Sequence, residues 1–249
     1  MSFTTWTPPA LSSEARPWQA DVWRMVEAQH IASTMKLVDD RAEQDLLEAL
    51  LEGSKPPAAD GTAGLDYLLA APFRYSPLRG GSRFRGAADP GVFYGADHVA
   101  TACAELGYWR WRFLCDAPAL TRLDPVAHTA FRTRIATTAI DLRQPPLDRD
   151  HAAWRHPADY RATQALARQA REVAIGAILY ASVRTPGAAW CAAVLTPAAF
   201  ARSAPEQPTQ TWWLAVRQDQ VHWRRDGEAI VFDTARWADT SASPPPGII

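Results

Sequence analysis

Trp212-Trp-Leu-Ala-Val216 and Val221-His-Trp-Arg224 flank a polar turn, Arg217-Gln-Asp-Gln220, and Ala229-Ile-Val-Phe232 follows directly. Short aromatic and β-branched runs separated by polar turns predict an antiparallel three-strand meander. Upstream, the apolar run 175–183 reads as a buried strand ending at Ser182-Val183-Arg184, and 160–174, rich in Ala, Gln and Arg, reads as the helix before it. Short strands over 73–75 and 92–94 lie on either side of a Gly80-Gly81 turn, and Asp97 is placed to cap a helix starting near His98. Strands alternating irregularly with helices and ending in a meander predict an α+β fold rather than a doubly wound parallel sheet.

Residues 1–65 read as an N-terminal helical extension. Val22, Met25, Val26, Ile31, Met35 and Val38 recur at roughly helical spacing. Leu46, Leu47, Leu50 and Leu51 mark a second helix that Gly53 and Pro56 end, and 56–61 reads as a connector. The main domain is then 66–249, with its motifs within 72–205 and a hairpin region over 211–233. No internal repeat is visible.

With 249 residues and 47% hydrophobic content, the chain is long and apolar enough to bury a core. A net charge of −1 gives no global basic field for nucleic acid or an anionic membrane. The first residues lack the pattern of a signal peptide, and no apolar run approaches the roughly 18 residues of a membrane span. Cys103, Cys115 and Cys191 are odd in number and lie in apolar surroundings, so reduced core thiols and a cytoplasmic location are expected. The histidines show no zinc-type spacing with the cysteines, so no metal is expected.

Arg83, Tyr94 and Glu105 stand 11 residues apart in succession. Arg74, Arg83 and Arg85 surround the Gly-Gly turn, and arginine's planar fork matches phosphate oxygens bidentately. An exposed turn with surface arginines explains the same residues. On a helix from Val99, the residues Val99, Ala102, Cys103, Leu106 and Trp109 form one stripe with Glu105 at its margin. There a partly desolvated carboxylate would stabilise a developing cation; the alternative is a solvated Glu105 paired with Arg112. Ser182 would project from a strand end, as a site residue or as a structural serine. No Gly-x-Ser-x-Gly elbow surrounds it, so a hydrolase triad is unsupported.

These motifs resemble the RES family, toxin components of bacterial toxin–antitoxin pairs that destroy NAD. The resemblance spans about 66–205 and rests on Arg74-Tyr75, Gly-Gly-Ser-Arg83-Phe-Arg85, Phe93-Tyr94-Gly-Ala, Ala102-Cys-Ala-Glu105 and Leu179-Tyr180-Ala-Ser182-Val-Arg184 in that order. It implies an ADP-ribosyltransferase-like mixed or antiparallel sheet core with flanking helices. It also implies cleavage of the nicotinamide–ribose bond of NAD+ by phosphate (phosphorylase) or water (glycohydrolase), with NAD+ as substrate and no separate cofactor. Arg83 and Arg74 would hold the pyrophosphate or an incoming inorganic phosphate, and Tyr75 and Tyr94 would line the nicotinamide end. Glu105 would steady the oxocarbenium-like ribose, and Ser182 would hydrogen-bond near the nicotinamide. Where the family's arginine motif often continues with Asn, Arg85 stands two residues on and joins the dinucleotide-binding set. The implied partner is a cognate helix-turn-helix-type antitoxin, with DNA reached only through it, and residues 1–65 would pack on the catalytic domain or help to form the antitoxin or dimer interface. A mono-ADP-ribosyltransferase is disfavoured, because Cys103 and Gly107 occupy the positions where a second acid is often found. A nucleic-acid-binding module on the ring-rich stretch 108–113 would use base stacking. The low net charge favours a half-buried segment there instead.

Overall fold

Arg122–Asp141 forms a single strand of 20 residues, and the sheet is built along both of its edges. The computed structural model describes residues 6–28, 40–54, 56–75 and 81–238. In order, the elements are α1 (Pro8–Glu14), β1 (Arg16–Glu27), α2 (Arg41–Ser54), α3 (Tyr67–Arg74), β2 (Phe93–Ala96), α4 (Val99–Asp116) and β3 (Arg122–Asp141). They continue with α5 (His151–Trp154), α6 (Arg161–Glu172), β4 (Ala177–Ala181), β5 (Trp190–Val194), β6 (Glu206–Arg217), β7 (Gln220–Arg225), β8 (Glu228–Asp233) and α7 (Ala235–Ala238). The fold is α+β, with one mixed sheet of 8 strands.

β1 runs antiparallel along β3, from Arg16 opposite Ala139 to Glu27 opposite His128. On the other edge of β3, β6 pairs antiparallel near its start and β4 pairs parallel at its end. β5 joins β4 to β2, and β2 returns to β1 through Trp23 opposite Ala96. The strands β1, β2, β5, β4 and β3 therefore close on themselves, and β6, β7 and β8 form the expected meander beyond β3.

The expected helical extension is corrected by β1. Val22 and Met25 are three residues apart, which imitates a helix, but they enter two different cores on opposite faces of the strand. A strand buried on both faces loses its polar alternation, so its period is hidden. Ile31, Met35 and Val38 lie outside the described residues, as does Gly80. The second expected helix is α2, whose Leu46 and Leu50 are exposed. The expected strand over 73–75 is also corrected. Asp66 accepts a hydrogen bond from the Leu68 amide (2.8 Å) and starts α3, which buries Leu69 and Phe73, one turn apart.

α4 lies against the meander. A Cβ on Gly107 would come within 2.9 Å of Val221 Cγ1, so only glycine permits this approach to β7. Its most buried residues include Cys103, Ala104, Gly107, Tyr108, Trp111 and Leu114, a face rotated from the predicted stripe. Glu105, Leu106 and Trp109 are left half-buried on the flank that faces β1 and β5. Cys103 and Cys191 are buried and Cys115 is exposed, all three unpaired, which corrects the expected core position of Cys115. No helix among the described residues is long and apolar enough to cross a membrane.

Candidate active site

A cavity of about 240 Å³ opens where β1, β2, α4 and the strands β4 and β5 converge. Arg83, Tyr94 and Glu105, evenly spaced in sequence, line it together. Behind Glu105, the Ser182 hydroxyl donates to Oε1 at 2.6 Å. The same Ser182 oxygen accepts the backbone amides of Arg184 and Thr185, both at 3.2 Å. Thr185 Oγ1 lies 3.2 Å from the same hydroxyl, and the carboxylate, closer and charged, is the stronger acceptor for its proton. Ser182 thus orients Glu105 rather than acting as a nucleophile awaiting a base. The Cys191 thiol lies 3.8 Å from the same Oε1, while no described residue hydrogen-bonds Oε2. Arg112 pairs with Asp116 instead, so the alternative Glu105–Arg112 pair does not form.

The Gly-Gly turn plays a different part from the expected anion cradle. Gly81 has φ of 79°, and a side chain there would collide with the Arg85 carbonyl. The amides of Ser82, Phe84, Arg85 and Gly86 all donate within the protein, to Arg85 O, Tyr94 Oη, Ser82 O and Asp89 Oδ2. Arg83 is only 8% exposed. Its Nη1 donates to the Trp154 and His156 carbonyls at 2.9 Å each, and its guanidinium lies 4.7 Å from the Tyr160 ring centre. Arg83 therefore lines the cavity as a clamped structural cation. It is not the exposed turn residue that the sequence suggested.

Arg74, Tyr75 and Arg85 do not line the cavity. Arg74 ends α3 and its Nε donates to the Pro56 carbonyl at 2.6 Å. Arg85 donates to the Asp89 and Tyr75 carbonyls, at 3.1 and 2.8 Å.

Arg24, on β1, stands at the cavity where Arg74 was expected. It lines the cavity, and its Nη1 donates to the Tyr94 carbonyl at 2.9 Å. Its Nε is shut off from solvent and has no partner. Burial pulls its pKa down to about 10, against the opposing pull of Tyr94 and Tyr180, so it stays charged at neutral pH. Arg24 escapes sequence reasoning because 70 residues separate it from Tyr94 and the spacing of Val22 and Met25 on its strand imitates a helix. A lone arginine between Trp23 and Met25, in a strand buried on both faces, was the available signal.

Arg24, Arg83 and Arg184 face one carboxylate, Glu105, so the lining carries a formal excess of positive charge. Arg184 stacks 3.4 Å from the Tyr108 ring centre and donates to the Pro157 carbonyl. Burial raises the Tyr94 and Tyr180 phenols above their usual pKa, so both are neutral hydroxyls at pH 7. The Tyr94 hydroxyl lies 2.7 Å from Ser82 Oγ and accepts the Phe84 amide at 3.0 Å. The site is a cationic pocket with one oriented carboxylate at its inner end, suited to an anionic ligand that develops positive charge beside that carboxylate.

The family model of the RES domain matches residues 55–223. This chain belongs to the RES-domain family. The matched RES segment contains Arg83, Tyr94, Glu105 and Ser182 and begins after β1, so Arg24 lies outside it. No curated protein matches the chain. Among solved structures, a chain of the M. tuberculosis MbcT–MbcA toxin–antitoxin complex is similar at 12% identity and a TM-score of 0.46, over 95% of this chain and 97% of that one.

Proposed function

We propose that this RES-domain protein cleaves the nicotinamide–ribose bond of NAD+. The observation that carries the reading is the pairing of Arg24, a buried cation with an unpartnered Nε, with Glu105, a carboxylate held by Ser182 in the same cavity. A buried N–H lacking a partner is costly, and a diphosphate oxygen would satisfy it. When the bond breaks, its electron pair returns to the ring nitrogen and nicotinamide leaves neutral. The ribose is left as an oxocarbenium-like cation. Oε2 of Glu105, which no described residue hydrogen-bonds, stabilises that charge in the transition state, the condition for raising kcat. Water or inorganic phosphate then adds to the ribose carbon and loses a proton, giving ADP-ribose or its 1″-phosphate.

Because the leaving group departs uncharged, no Lewis acid is required at it. NAD+ acts as substrate, and activity is expected to survive thorough chelation. Membership of the RES family supports a toxin role, with a cognate antitoxin of the helix-turn-helix type as its partner. The test incubates purified protein with NAD+, with and without phosphate, and follows free nicotinamide and the ribosyl product. Free ADP-ribose, its phosphorylated form or protein-bound ADP-ribose would identify a glycohydrolase, a phosphorylase or a mono-ADP-ribosyltransferase. Intact NAD+ at high enzyme concentration, with no antitoxin in the sample, refutes the proposal.

A further inference from the structure

The cavity is graded from its inner end to its mouth. At the inner end Cys191 and Arg184 are 2% and 1% exposed. At the mouth stand Trp23 on β1 and Trp109 on α4, both partly exposed and both lining the space. Each indole is held in place from outside the cavity. Arg132 lies 5.8 Å from the Trp23 ring centre and is itself tied to Glu206 through Nε at 2.8 Å. Tyr108 meets Trp109 edge-on at 5.1 Å. Neither Arg132 nor Tyr108 lines the cavity, so ring surface at the mouth is left for a ligand.

The size of the space sets what reaches those rings. Pockets that enclose a drug-sized ligand run to roughly 300–1,000 Å³, and this one, at about 240 Å³, falls below that range. A dinucleotide cannot be swallowed whole. With the bond to be broken at Glu105 and the diphosphate at Arg24, the second nucleoside must leave through the mouth, past Trp23 and Trp109.

We propose that Trp23 and Trp109 form a stacking platform for the purine base of the dinucleotide, so that the mouth selects dinucleotides over nicotinamide mononucleotide. This rests on the NAD+ reading of the same cavity. Rings fixed before binding lose little freedom when a base stacks on them, and loss of one stacked ring typically lowers affinity about tenfold to a hundredfold.

The test compares nicotinamide release from NAD+ and from nicotinamide mononucleotide by the full-length wild type, Trp23→Leu and Trp109→Leu. Leucine keeps apolar bulk and removes the ring, and Trp23→Phe restores a ring should Trp23→Leu fold poorly. Each leucine variant is expected to lower kcat/KM for NAD+ about tenfold to a hundredfold, mainly through KM, and to affect the mononucleotide far less. Trp23→Phe should keep most of the wild-type preference. Equal losses on both substrates, or no loss on NAD+, overturn the platform. Calorimetric titration of ADP-ribose, which lacks nicotinamide, reads the platform without catalysis. If the wild type binds ADP-ribose and the leucine variants bind it much more weakly, the platform stands even where NAD+ is not cleaved and the cleavage reading fails. Equal affinity in all proteins overturns the platform alone.

Discussion

Glu105→Gln isolates charge from shape. Glutamine keeps an oxygen where Oε1 accepts the Ser182 proton at 2.6 Å, and its helix propensity in α4 is close to that of glutamate. The loss is then the interaction between Oε2 and the cationic ribose. At about 4 Å and an effective dielectric constant of about 20, two unit charges interact by about 4 kcal/mol. Removing a comparable transition-state group typically costs about 2.7–4 kcal/mol, a hundred- to thousandfold in rate. Glu105→Gln should therefore lower kcat by that factor and change KM little, since the charge develops only as the bond breaks. Steady-state nicotinamide release gives the two constants separately, and a thermal melt confirms the fold. Growth arrest on expression without antitoxin should vanish in parallel. A folded Glu105→Gln protein with near wild-type kcat would refute the reasoning, because no other carboxylate among the described residues lines the cavity.

Arg24→Met should change melting little, since it removes a buried Nε without a partner among the described residues along with one hydrogen bond to the Tyr94 carbonyl, while KM for NAD+ rises at least tenfold. A lowered melting temperature with unchanged KM would make Arg24 structural. Arg83→Ala is expected to destabilise by about 3 kcal/mol or more, because it deletes two charge-assisted hydrogen bonds from a buried guanidinium, to the Trp154 and His156 carbonyls. A variant that melts like the wild type would show that this clamp is weak. His128 is buried, its Nε2 lacks a partner, and burial lowers its pKa below 6.5, aided by Arg110 and opposed by the Val126 carbonyl and Glu27. The neutral ring is favoured on folding, so its stabilisation is full above pH 6.5 and is lost as pH falls through the lowered value. Denaturant titrations from pH 8 to 5 should show a steeper loss for the wild type than for His128→Gln; identical slopes would count against this linkage.

Local pattern was enough for the elements whose neighbours in space are neighbours in sequence. The meander β6–β7–β8 follows from polar turns between aromatic runs. α4, and Glu105 off its main apolar face, follow from helical periodicity, although Asp97 does not cap it: His98 holds the N-cap position without a side-chain cap hydrogen bond, while Asp97 Oδ2 accepts the Trp190 amide at 3.0 Å. Ser182 at a strand end was also readable, since β4 is a short apolar run buried along most of its length. β3 escaped because its large buried residues, Phe131, Ile135 and Ile140, are few over 20 residues and stand among Ala, Thr and Arg, which leaves no steady alternation to read.

What only the tertiary structure decided was which arginine does what. Arginines near glycines look alike in a sequence whether their forks meet carbonyls or solvent. Long-range placement removed Arg74 and Arg85 from the cavity, clamped Arg83 on the Trp154 and His156 carbonyls, and delivered Arg24 from a strand whose partner residues on β3 lie more than 100 positions away. Ser182 and Glu105, 77 residues apart, became a hydrogen-bonded pair by the same means. Periodicity reports which face of an element is apolar, but a strand covered on both faces has no polar face to report. Its pairing, and with it the cation at the centre of the site, is set by the closure of the sheet.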